Sequence, residues 1–299
     1  MSKLLSLLLV SATAACGPQK IDAVSCSSSL CAGTGGGVSS GGTAGAGGDR
    51  SSGGGGSGSG GRAELDAGTV DDSGLIHRYS FDISANGVEV IDSVRGMNGV
   101  LVGAAYGEGE AAGTVLLAGK DSNQYVDLPN HLLDGLTQVT IEAWVTWAGG
   151  DAWQRVFDFG EDETGADGSR NGQPRSYVFL ALIPKARFAF RPPPIQSKEI
   201  LMTGPDAFPT GELTHVAVVI DPSAQLSSLF VGGLEVTSTR FQGVLSDVYD
   251  VNNWLGRSQY LADAGFEGSF SEFRIYDRAL SAAELSASAQ AGPDAKIGR

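Results

Sequence analysis

Carboxylates are the residues whose number and spacing could do chemistry here. The 299-residue chain carries 34 Asp and Glu against 20 Lys and Arg, a formal net charge of −14. Their densest run is Glu161-Asp162-Glu163 in a glycine-flanked stretch, with Asp158 just before it. Asp158, Glu161 and Asp162 are candidate oxygen ligands for calcium, a hard cation that takes carboxylates and carbonyls. Two further acidic corners are Asp92 with Asn98, and Asp247 with Asp250. None carries an EF-hand pattern, and solvated loop acids that confer solubility have the same composition. Glycoside hydrolysis needs two carboxylates facing one cleft, and on a strand that requires alternate positions. Neighbours 161, 162 and 163 would face opposite ways. Glu272 has no acid at 270 or 274. A hydrolase would therefore need carboxylates brought together from different strands.

Other catalytic constellations are absent from the sequence. No G-x-S-x-G occurs, and all three Cys precede residue 32. His77 and His215 sit among apolar residues at alternating positions, as hydrogen-bonded sheet residues do. His131 falls in a loop with no companion ligand in its neighbourhood of sequence. The acidic balance excludes nucleic-acid binding, which needs a basic stripe to displace counterions. Arg175, Lys185, Arg187 and Arg191 gather between residues 175 and 191, and are expected to balance nearby acids.

Sugar binding needs an exposed aromatic ring beside polar groups. Trp153, followed by Arg155, is the candidate for exposure. Trp144 and Trp147 fall on opposite faces of one alternating stretch, so at least one belongs to a core. The stretch "WLGRSQYLAD" adds Arg257, Tyr260 and Asp263. The candidate ligand-binding set is Trp153, Arg155, Arg257, Tyr260 and Asp263. Core packing is the competing role for each tryptophan.

These residues must be positioned by a folded region that begins near residue 75. The chain opens with Lys3 and an apolar run from Leu4 to Val10, too short to span a bilayer but suited to an export signal over residues 1–15. Thr13-Ala14-Ala15-Cys16 resembles a bacterial lipobox, which implies lipidation of Cys16 and an outer-membrane lipoprotein of the cell envelope. Ordinary cleavage near residue 14 is the alternative. Cys26 and Cys31 are placed to form a local disulfide in an exported chain, or to remain two thiols. Residues 16–74 are rich in Gly and Ser and form an expected disordered tether with a reach of roughly 40–45 Å.

From Leu75 apolar residues alternate with period two, and turn residues separate the runs. "QVTIEAWVTW" puts Val139, Ile141, Ala143, Val145 and Trp147 on one face. "YVFLALI" is apolar on both faces and reads as a central strand. Gly232-Gly233 between apolar runs signals a tight hairpin. In "GSFSEFRIYDR", alternation puts Phe270, Glu272, Arg274 and Tyr276 on one face. Ser281-Ala-Ala-Glu284 then reads as a capping box opening a short helix that stops before Gly292-Pro293. The fold class is all-β: a two-sheet antiparallel jelly-roll sandwich over residues 75–290, a short C-terminal helix, and a tail over 291–299.

Seven stretches occur in an order similar to that of the bacterial laminin-G-like, concanavalin A-like jelly-roll domains: "IDSVRGMNGVLVGA", "YVDLP", "TIEAWV", "WQRVFDFG", "LTHVAVVID", "LFVGGLEV" and "NWLGRSQYLADAGFEGSFSEFRIYDRALSAAEL". The resemblance implies a surface module that binds a glycan or a surface protein, with calcium as its cofactor. Glu272 stands where the family often has Asp. Glycosidases of this fold carry an E-x-D-x-(x)-E strand pattern, which this chain lacks. The expected function is non-catalytic binding at a membrane surface. The alternatives are a glycosidase of this fold and a purely structural envelope protein.

Overall fold

The computed structural model describes residues 69–298, except 109, 110, 121 and 195. The export signal, the lipidation site at Cys16, the Cys26–Cys31 pair and nearly all of the tether lie outside the described residues.

The described strands are β1 (Thr69–Asp71), β2 (Leu75–Tyr79), β3 (Glu89–Val90), β4 (Gly99–Val102), β5 (Ala105–Tyr106), β6 (Val115–Ala118), β7 (Tyr125–Leu128), β8 (Val139–Trp147) and β9 (Gln154–Asp162). Then follow β10 (Pro174–Leu182), β11 (Lys185–Arg191), β12 (Ile200–Ala207), β13 (Leu213–Asp221), β14 (Leu226–Val231), β15 (Leu234–Arg240), β16 (Asn252–Leu255) and β17 (Glu267–Tyr276). Helix α1 (Ala282–Ala291) and β18 (Lys296–Gly298) end the chain, and β18 pairs in parallel with β1.

Two antiparallel sheets form the expected jelly-roll sandwich. The first runs β15-β14-β13-β8-β17-β6-β5, with β2 also on β17. The second runs β12-β11-β10-β9-β16-β7-β4-β3. Val139, Ile141, Ala143, Val145 and Trp147 of β8 enter the core between them, opposite residues such as Phe157, Phe159, Phe188 and Phe190. Period two thus sorts β8 as the sequence implied. Gly232 and Gly233 both take left-handed φ, at 60° and 76°, and close the β14–β15 hairpin. A side chain would be strained at either position.

The last strand departs from simple alternation. Its register against β8 slips between Phe270 and Glu272. The bulge absorbs one residue, so Phe270 shares the core with Phe273 and Ile275. Phe270 is therefore not on the face of Glu272, Arg274 and Tyr276 as strict alternation placed it. Those three point outward and are sealed by α1. The helix opens with the expected capping box and ends at Gly292. Leu280 and Leu285 pack with Ala217, Phe230 and Tyr276. Beneath the helix lie His215 with Glu142 at 3.0 Å, and Arg274 with Glu272 at 2.6 Å. These buried groups stitch the helix to the first sheet and close that sheet's outer face.

Candidate functional site

With one outer face covered, the outer face of the second sheet is the open one. Its floor comes from alternate residues of β10 and β11: Tyr177, Phe179, Ala181 and Ala189 form a small apolar cluster outside the main core. These residues are buried because long side chains lie over them. The Arg155 guanidinium stands 4.0 Å from the centre of the Phe179 ring, and Arg191 4.9 Å from that of Tyr177. Trp153, on the loop before β9, forms one wall. Its backbone is left-handed, with φ 70°, and the residue is 38% exposed. Such a conformation is uncommon for a bulky residue and costs local strain. It holds the indole over the groove, 5.9 Å from Arg155 and 5.5 Å from Arg187.

The opposite wall is the loop between β16 and β17. Tyr260 and Asp263 join Trp153, Arg155, Tyr177, Phe179, Arg187, Arg191 and Glu199 around a cavity of about 270 Å³. Asp263 also borders a second hollow of about 510 Å³, which contains Tyr125, Arg170, Arg257 and Leu261. Four of the five expected ligand-binding residues therefore share one cavity, and Arg257 lies in the adjoining one.

Arg155 organises the centre. Its Nε donates to Asp158 at 2.9 Å, one Nη to Asp263 at 2.7 Å, and the other to the Trp153 carbonyl at 2.9 Å. It fixes both walls to the floor. Asp158 is fully buried; its Oδ2 also accepts from the Gln259 amide at 3.1 Å, and its Oδ1 has no hydrogen-bond partner. Burial pushes its carboxyl up to about 6, with Arg155 pulling the other way. Tyr177 donates to Glu199 at 2.5 Å, and burial followed by that bond raises its phenol above the ordinary range.

The other guanidiniums are not neutralised in this way. Arg170, Arg187 and Arg257 form no ion pair among the described residues, and Arg191 has only a 3.8 Å contact with Glu199. Arg257 is sandwiched between Tyr125 and Trp254, at 4.4 and 4.2 Å. The Nε atoms of all four are buried without a hydrogen-bond partner. Burial, and then the neighbouring Arg257 charge, push the Arg170 guanidinium below its usual value. A chain of net charge −14 thus lines two adjoining cavities with these four arginines, of which only Arg191 lies within ion-pair distance of a carboxylate. Sequence reasoning assigned Arg187 and Arg191 to balancing acids. Of the four basic residues so assigned, Arg175 has Glu161 at 3.8 Å, Arg191 has its long contact with Glu199, and Arg187 has no acidic partner. Tyr177, Phe179, Arg187, Arg191 and Glu199 were missed, although the alternate spacing of Tyr177 with Phe179, and of Arg187 with Arg191, puts each pair on one strand face.

The acids of residues 158–162 are each engaged by neighbouring protein groups. Asp158 faces Arg155 at the groove floor. Asp162 is filled by Thr164, Ser169 and Asn171, whose bonds hold its carboxyl below the usual value against the cost of burial. Glu161 lies by Arg175. Their oxygens do not converge on one point among the described residues. The Asp92 corner is likewise committed, to His77 at 2.8 Å and to the amides of Arg78, Val94 and Met97.

The sandwich and its open groove define a lectin-like β module. The chain belongs to the Laminin_G_3 family of the concanavalin A-like lectin/glucanases superfamily, whose model matches residues 120–286, more than half of the sequence. No curated protein is significantly similar to it. Among solved structures, domain 4 of AbnA, a GH43 extracellular arabinanase from Geobacillus stearothermophilus in complex with arabinotriose, aligns with a TM-score of 0.50 and 21% identity, over 71% of this chain and 96% of that one. A Trypanosoma rangeli sialidase in complex with 2,3-difluorosialic acid aligns with a TM-score of 0.54 and 13% identity, over 75% of this chain and 34% of that one. At these identities the likeness is one of fold.

Proposed function

We propose that the protein is a non-catalytic glycan-binding module, and that its ligand lies across the outer face of the second sheet with an acidic group turned to the arginines. The observation that carries this reading is the combination at one groove: an exposed Trp153 wall, an aromatic floor, and an Arg187 guanidinium without an acidic partner beside Arg191, which has only a long contact with one. Aromatic rings pack against the apolar faces of sugar rings, and a guanidinium fork matches a carboxylate. Domain 4 of AbnA, of the same fold, is in complex with arabinotriose. The groove acids are already engaged. Asp158 is sealed behind Arg155, Asp263 accepts from Arg155 and Ser258, and Glu199 accepts from Tyr177. That favours binding over hydrolysis.

The test is affinity electrophoresis of the full chain in gels containing neutral arabinan, polygalacturonate or alginate. Retardation by an acidic polymer, lost in Trp153→Ala, is the expected result. Migration unchanged in every gel overturns the glycan reading. A polymer shortened during the run establishes a hydrolase. The same proposal places the module on a bacterial envelope through lipid on Cys16. Cys16→Ala is expected to move the protein from the detergent to the aqueous phase of a Triton X-114 partition, and unchanged partitioning refutes the anchor.

A further inference from the structure

The loop after β7 and the turn before β16 bring together three residues that sequence spacing keeps apart. His131 and Asp134 are exposed, and Asp250, distant in sequence, is buried. One ligand atom from each lies within 4.8 Å of the other two. The His131 Nδ1 stands 3.5 Å from the Asp134 carboxylate. His131 therefore has companions after all, and Asp250 finds them in this loop rather than in Asp247.

The arrangement is held in place by bonds that leave ligand atoms free. The His131 amide donates to the Asp250 carbonyl at 2.9 Å. The Leu133 amide donates to the Asp250 Oδ2 at 3.1 Å, and Asn253 donates to the same oxygen at 2.9 Å. Tying down the loop thus accounts for Oδ2. It does not account for Oδ1, which is buried and has no hydrogen-bond partner; nor does it account for the Asn253 Oδ1, also buried and unpartnered. A buried carboxylate oxygen without a donor is costly. Two carboxylates and an imidazole thus converge in one corner with no Lys or Arg paired to them among the described residues.

We infer that His131, Asp134 and Asp250 form a binding site for one divalent transition-metal ion, with the imidazole selecting manganese or zinc over calcium. Carboxylates alone suit Ca²⁺ or Mg²⁺, whereas an imidazole nitrogen shifts preference towards first-row metals. Three protein ligands leave positions for water. This site is separate from the arginine-walled groove and does not rest on the glycan reading.

The test uses the full chain and Mn²⁺, followed by electron paramagnetic resonance of the free ion. Saturable binding of one Mn²⁺ per chain is expected. His131→Asn keeps a residue tolerant of the left-handed backbone found there, φ 65°. It is expected to weaken binding about tenfold or more, as is Asp134→Asn. Both positions are exposed, so both variants keep the wild-type melting temperature without metal. Asp247→Asn, at an exposed neighbouring acid, leaves the affinity unchanged. Absence of saturable binding overturns the inference. So does binding that both His131→Asn and Asp134→Asn leave intact, or an affinity for Ca²⁺ equal to that for Mn²⁺.

Discussion

Replacing Asp158 by asparagine should change how stability depends on pH. The carboxyl is fully buried, one oxygen lacks a partner, and its folded-state value is about 6 against an ordinary 3.8. The folded chain therefore holds this proton over a range where the unfolded chain has lost it. Stability falls with rising pH wherever the native state binds more protons. Asp158 thus favours folding fully below pH 3.8, and that contribution disappears as pH climbs through 6. The whole span is on the order of 3 kcal/mol. Integrating the two titration curves, on the order of 1 kcal/mol of it falls between pH 5 and pH 7. The amide of Asp158→Asn cannot titrate but preserves shape, so the variant should gain on the order of 1 kcal/mol relative to the wild type over that interval. Urea unfolding of both proteins at half-unit steps from pH 5 to 7 measures the difference, and stays above the sequence pI of about 4.5. Two stability curves that run parallel across the interval would refute the reasoning. They would mean that Asp158 stays ionised throughout, its pair with Arg155 outweighing burial.

Further outcomes follow from the same physics. Arg187→Gln should weaken binding of an acidic polysaccharide and flatten its salt dependence, because the lost charge no longer contributes to a screened attraction; mobility in gels at 20 and 300 mM salt measures both. Glu272→Ala should destabilise the fold by about 3–5 kcal/mol, since it leaves Arg274 buried without its carboxylate, and a denaturant midpoint reports it. Ser281→Ala should cost about 1 kcal/mol through loss of the bond from the Glu284 amide to the hydroxyl, measured by thermal unfolding at constant pH.

The sequence by itself determined the sandwich, because a strand's sidedness is a local property. Alternation sorted β8, the paired glycines demanded left-handed turns, and Ser281 with Glu284 capped the helix, each through contacts a few residues apart. It failed locally at the β17 bulge: one extra residue inverts the facing of everything beyond it, and the composition around Ser271 does not announce it. The groove was half legible. Trp153, Arg155, Tyr260 and Asp263 could be chosen as polar and aromatic residues in loops and at strand ends. Their union with Tyr177 and Arg187 depends on β9, β10 and β11 lying side by side. That Arg187 lacks an acid, while Arg155 takes two, is a matter of distances across strands. His131 shows the limit plainly. Its partners are three and 119 positions away, at Asp134 and Asp250, and only the pairing of β7 with β16 brings the two loops together. Chemistry that depends on charge balance and convergent ligands was decided by tertiary structure, because Coulomb attraction and coordination act through space, whereas the hydrophobic period that builds the sheets is written along the chain.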